Sequence, residues 1–256
     1  MLYFERGSAT DKLTTDDLRA GFAQAMARLG SPRRVLAIPP DFTRFHSHAG
    51  ILTRIAYDYF GDRLVDVLPA LGTHSPMSAQ QMAEMFAGVP SNLFRVHNWR
   101  TGVTTVGEVP GEFVREVSGG AVDFPWPAQL ANLIWTGKHD LILSIGQVVP
   151  HEVIGMANYN KNIFVGTGGA EGINKSHFVG AAYGMERMMG RADTPVRRIL
   201  NYAGEKFTRH LPIVYVHTVV SRDAEGQLRV RGLFIGDDAS AFTQAADLSL
   251  QVNFEM

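Results

Sequence analysis

Cysteine is absent from this 256-residue chain. That excludes a disulfide framework, a thiolate metal site and a cysteine nucleophile. It is in keeping with the cytoplasm, which is the expected location. An excess of one charge is absent too: 24 Lys plus Arg face 25 Asp plus Glu, for a formal net charge of −1. A basic footprint for nucleic acid is therefore not expected. Long apolar runs are also missing. Leu141 to Val149 is broken by Ser144, Gly146 and Gln147, and Leu211 to Val220 is short as well. Both fall far short of a membrane span of about 20 residues, so no membrane association is expected. The first eight residues, MLYFERGS, carry charge where a signal peptide would be apolar. No Gly-Lys-Ser/Thr phosphate loop, His-Glu-x-x-His helix or Gly-x-Ser-x-Gly elbow occurs.

What is present is an ordinary globular balance, 45% apolar and 19% charged, in a length that suits one large domain or two small ones. Thr14-Thr-Asp-Asp17 opens a helix, and Gly30-Ser-Pro32 stops it. Val35 to Ile38, Leu64 to Leu68 and Asp140 to Ile145 read as buried strands, with a further short one over Asn162 to Val165. Helices are expected from Ala49 to Phe60, from Ser78 to Phe86, from Pro127 to Trp135, from Asn174 to about Met189, and from Pro195 to Phe207. Short strands with turns are expected from Phe94 to Val117. Leu211 to Ser221 and Gln227 to Ile235 form a hairpin, and Asp238 to Val252 a last helix. Strands alternating with helices predict an α/β fold, a largely parallel sheet flanked by helices with a β-hairpin near the C-terminus.

In such sheets ligands bind beyond the carboxyl ends of the strands. Three expected loops there carry polar groups: Asp41, Thr43 and Arg44; then Gly72-Thr73-His74; then Pro150-His151. Each has an ordinary reading as well. Asp41 suits a cap, Arg44 a surface charge, Lys161 an exposed turn, and His177 a structural place on a helix. His46, His48, His97, His139, His210 and His217 read as loop histidines. Gly166-Thr-Gly-Gly-Ala-Glu-Gly172 leads into a helix whose N–H groups could meet an anion, but it does not match a dinucleotide fingerprint.

Taken together, these pieces resemble the lactate racemase family, whose members use a nickel-pincer nucleotide. Asp41-Phe-Thr-Arg44 matches its Asp-x-Thr-Arg, and Gly72-Thr73-His74 its Gly-Thr-His. Pro150-His151 is followed by Gly155 and, ten residues past the histidine, by Lys161; His177 lies sixteen residues further on. Two departures stand out. Ala157-Asn-Tyr-Asn160 replaces the family's common Ser-Gly-Gly, and Phe45 a usual proline.

The resemblance implies an isomerase, a racemase or epimerase of a lactate-like 2-hydroxy acid. The reaction would proceed by hydride removal and return through the covalently tethered cofactor. It implies Lys161 as the tether, through a thioamide, and His177 as the protein's nickel ligand. His74 and His151 would be the acid/base pair on opposite faces of the substrate. Arg44 would stabilise negative charge at the pincer or the reacting oxygen. Asp41 would anchor the nucleotide or orient Arg44, and Thr43 joins them as a cofactor-binding residue. Partners would be the 2-hydroxy acid and the proteins that make and insert the cofactor.

Family members are longer, with a second domain that holds the substrate carboxylate. Residues 1–236 are accordingly expected to form the cofactor-binding catalytic domain. Residues 237–256 would form a helix leading toward that second domain, absent from this chain, with Phe242, Leu248 and Leu250 partly uncovered. Two other readings remain: a metal-dependent hydrolase using His74, His151 and His177, and a non-enzymatic cofactor carrier.

Overall fold

Val35-Leu-Ala-Ile38 is apolar and buried at every position, as a strand covered on both faces must be. Val35 and Ala37 enter one core layer and Leu36 and Ile38 the other, following the two-residue period of a strand. A computed structural model describes residues 1–253. Its elements in chain order are β1 (Leu2–Gly7), α1 (Thr15–Met26), β2 (Val35–Ile38), α2 (Ala49–Phe60), β3 (Leu64–Val67), α3 (Ala79–Met85), β4 (Val103–Val109), α4 (Gly111–Val117), β5 (Trp126–Ala131), α5 (Asn132–Thr136), β6 (Leu141–Gln147), β7 (Pro150–His151), β8 (Gly155–Met156), α6 (Ala170–Tyr183), α7 (Pro195–Ala203), β9 (Ile213–Arg222), β10 (Leu228–Gly236) and α8 (Ala239–Asn253). No described helix is long and apolar enough to cross a membrane.

The main sheet runs β1-β10-β9-β6-β2-β3. Its part from β9 to β3 is parallel, and β10 and β1 are added antiparallel. This is the expected α/β class with its C-terminal hairpin. On one face α1 and α2 bury Phe22, Leu52 and Ile55 against Val35, Leu143 and Val216. The other face lies under β5, α6 and α7, through Trp126, Ile173, Ile199 and Leu200. The helix starts follow from local chemistry. Thr14 with Asp17 and Ser78 with Gln81 form capping boxes at α1 and α3.

Several sequence expectations are corrected. Trp126–Ala131 pairs with β4 instead of opening a helix; buried Trp126 donates its indole N–H to the Gly172 carbonyl at 2.8 Å, so tertiary contacts fix the segment as a strand. Only α5 after it is helical. Gly111–Val117 is helix, not strand. Asn162–Gly166 is a π-helical turn, not a strand, because its buried Asn162 is drawn to the sheet by hydrogen bonds. The helix expected from Asn174 begins at Ala170, inside the glycine-rich turn. The amino-terminal residues form an unanticipated edge strand.

The last helix is also better covered than expected. Phe242 and Leu248 are buried with Val219 and Phe234 under α8, and Leu250 is half-buried, because the helix lies on β9 and β10. The last residues of the 237–256 segment, 254–256, lie outside the described residues.

Candidate active site

Strands β6, β2 and β3 are neighbours, so their carboxyl ends bring the three polar loops side by side. Asp41 starts a 3₁₀ turn and caps it, accepting from the Thr43 N–H at 3.1 Å and the Thr43 hydroxyl at 2.5 Å. Its other oxygen meets His74 Nδ1 at 2.6 Å. The capping reading of Asp41 is borne out, and the same carboxylate also reaches His74. The carboxylate is buried, and the His74 side chain is 58% exposed. Because the carboxylate can only accept, His74 Nδ1 donates, and its Nε2 is left with a lone pair. Arg44 follows on the exposed side of the same turn.

His151 is buried in β7. Its Nδ1 accepts from the Val153 N–H at 3.1 Å, which leaves the proton of the neutral ring on Nε2. Burial, then the positive charges of Lys161 and Arg44, push the His151 pKa down to about 3. The two histidines are thus prepared differently: His74 shows an acceptor nitrogen and His151 an N–H.

Lys161 precedes the π turn, between the buried side chains of Asn160 and Asn162. Asn162 donates to the Ile38 carbonyl at 2.9 Å and to the Ser144 hydroxyl at 3.1 Å, so it ties the turn to the ends of β2 and β6. Burial, helped by the nearby Arg44 and Arg197 charges, lowers the Lys161 pKa to about 8. A larger share of this amine is neutral near physiological pH than of an ordinary lysine. His177 lies exposed on α6, and its Nδ1 donates to the Ile173 carbonyl at 2.7 Å. In the neutral ring that bond leaves the lone pair on Nε2, the nitrogen a metal would take.

Mutual charge effects tie these groups together. His151 feels Lys161, Arg44 and His177, and Lys161 feels Arg44 and Asp41. Among the described residues no three His, Asp or Glu side chains gather as one ion would require. That geometry gives the hydrolase reading no support. A cofactor bringing its own donor atoms needs only one protein ligand, and His177 has a nitrogen ready. The Lys161 amine and a single imidazole, with no thiolate in the chain, would fit the nickel-pincer nucleotide that the sequence resemblance implies.

Three histidines read as loop residues are instead buried: His97, His139 and His217. Each is held by a hydrogen bond, to the Gly168 carbonyl, the Asp66 carboxylate and the Asn158 side chain respectively. Sequence reasoning also missed Arg197, which is 1% exposed under the Lys161 loop. Its one signal is a cation between Val196 and Ile199 on the apolar face of α7.

No family model and no curated protein matches this sequence. Solved structures do. A protein from Thermotoga maritima superposes with a TM-score of 0.85 at 24% identity, over 94% of this chain and 60% of that one. The lactate racemase apoprotein from Thermoanaerobacterium thermosaccharolyticum superposes with a TM-score of 0.70 at 19% identity, over 97% of this chain and 57% of that one. The chain therefore spans at most 60% of the length of these two relatives. Over that span its fold is similar to that of the lactate racemase apoprotein.

Proposed function

We propose that this chain is the cofactor-bearing part of a racemase or epimerase acting on a 2-hydroxy acid. The observation that carries the reading is Lys161: an amine with its pKa lowered to about 8, in one charge cluster with His151, Arg44 and Asp41 at the carboxyl edge of a parallel sheet. The similarity in fold to a lactate racemase apoprotein supports it.

Lys161 would tether a nickel-pincer nucleotide and His177 would hold its metal. When bound, that group supplies the acceptor to which the carbon-bound hydrogen departs with its electron pair and from which it returns. The chain's own residues do the rest. His74 Nε2 takes the substrate hydroxyl proton and gives it back to that oxygen once the hydrogen has returned to carbon, while Asp41 holds the ring's orientation and steadies the imidazolium that forms in between. The Nε2–H of His151 donates to the reacting oxygen from the other side. Arg44 offsets the negative charge that develops there. The chain spans at most 60% of its two solved relatives, and a partner for the substrate carboxylate would come from outside the residues named here.

Intact mass after co-expression with cofactor-synthesis enzymes tests the reading. An adduct of nucleotide size on Lys161 is expected. Nickel should be lost in both Lys161→Ala and His177→Ala. Equal nickel and equal mass in the wild type and both variants would overturn the assignment.

A further inference from the structure

Arg197 is a buried cation with no carboxylate partner among the described residues. Burying an unpaired charge is costly, and an apolar residue of similar volume would avoid that cost. What the guanidinium does instead is grip one loop. One nitrogen donates to the Met156 carbonyl at 2.6 Å, both terminal nitrogens reach the Asn158 carbonyl at 3.3 Å, and a further bond goes to the Asn160 side-chain oxygen. Phe242 lies against its flat face, 4.5 Å from ring centre to guanidinium carbon.

The gripped loop needs holding. Asn158 (φ 65°) and Tyr159 (φ 59°) are consecutive non-glycine residues in the left-handed region. Such residues are strained and persist only where their surroundings enforce the conformation. Tyr159 is locked by stacking on Phe242 and by contact with Tyr215. Asn158 donates to His217 Nδ1 at 3.0 Å. The residue after Asn160 is Lys161, so the loop's path sets where the amine stands. The Arg197 charge also acts on that amine directly.

We propose that Arg197 is a positioning residue for Lys161: by binding Met156, Asn158 and Asn160 at once, it fixes the strained loop that presents the amine for cofactor attachment. This rests on the reading of Lys161 as the tether. No role is claimed for Arg197 in contact with substrate or cofactor.

The test is competitive acetylation of the chain with acetic anhydride, without cofactor, across pH 6 to 10, followed by mass spectrometry of each lysine. In Arg197→Gln, Lys161 should acetylate at least about threefold more slowly near pH 8, with its pH midpoint moved up, because a neighbouring positive charge is gone. Lys12 and Lys138 should be unchanged. Asn160→Ala keeps the charge and removes one anchor. It should alter the Lys161 rate with the melting transition still cooperative, and it decides the matter if Arg197→Gln does not fold. An unchanged Lys161 rate and midpoint in the folded variants would show that Arg197 only fills space, and would overturn the proposal. A wild-type chain that never gains an adduct on Lys161 would sink the proposed function, yet leave this comparison readable.

Discussion

Asp41 accepts three hydrogen bonds, two from Thr43 and one from His74, and no hydrogen of its own is needed for any of them. Asp41→Asn can keep the Thr43 pair, but its amide N–H then points at His74 Nδ1, which must accept, so the ring's proton moves to Nε2 and the base is lost. On the proposed function this change should reduce racemisation about 10²- to 10⁴-fold with the nucleotide adduct retained, as assayed by stereochemical exchange of a 2-hydroxy acid. A second expectation concerns His151. After burial, the Lys161 ammonium is the largest cause of its depressed pKa. Removing that charge must raise the His151 pKa, so Lys161→Met should move its titration upward in an imidazole NMR experiment, with the fold intact. These residues are legible in the sequence because Asp-x-Thr-Arg, Gly-Thr-His and the spacing from His151 to Lys161 to His177 are local patterns. Arg197 is not, because its meaning lies in backbone carbonyls some forty residues away, which no spacing rule marks.

At the scale of elements, the π turn shows what tight packing demands. A Cβ added at Gly168 would lie 1.9 Å from the Phe164 carbonyl oxygen, within the turn that carries Lys161. Gly168→Ala should therefore destabilise by about 1 to 3 kcal/mol in urea unfolding and reduce adduct formation with it. The strands β2, β3 and β6 were readable because they are apolar runs bounded by turn residues. The strand β5 was not: Pro127 followed by apolar residues also describes the start of a helix, and the pairing with β4 that decides the matter is tertiary. The substitution of Ser-Gly-Gly by residues 157–160 gains a physical account here. The backbone bends left-handed at Asn158 and Tyr159, positions where glycine bears no steric cost, and this chain holds the bend with side chains instead.

For the whole molecule, burial first, and for each a neighbouring cation as well, push His151 and His217 down to about 3. Both rings are neutral in the folded chain and take up protons near pH 6.5 once unfolded. Their contribution to stability is complete above about pH 6.5 and declines as pH falls from there toward 3. Denaturant midpoints should fall through that window. In His217→Leu the fall should be shallower by about one proton's slope, against a lower starting stability, since Asn158 loses its acceptor. The α/β class, the parallel centre and the hairpin were legible in the order of apolar runs; the edge strand β1 was not, because its partner lies at the far end of the sequence.

That last pairing sets a timetable for synthesis. Leu2 stands opposite Gly236, and Gly7 opposite Gly232. A ribosome adding about 5 to 20 residues per second must work for roughly 10 to 50 s between making the first strand and making the one it joins. Throughout that interval Leu2, Tyr3 and Phe4 lack their partner strand, and by its end β2, β3, β6 and β9 are already made. The sheet is therefore completed from its outer edge last. A chain whose first seven residues were removed should still assemble the Lys161 turn, but would leave the β10 edge open and gain a tendency to associate with copies of itself.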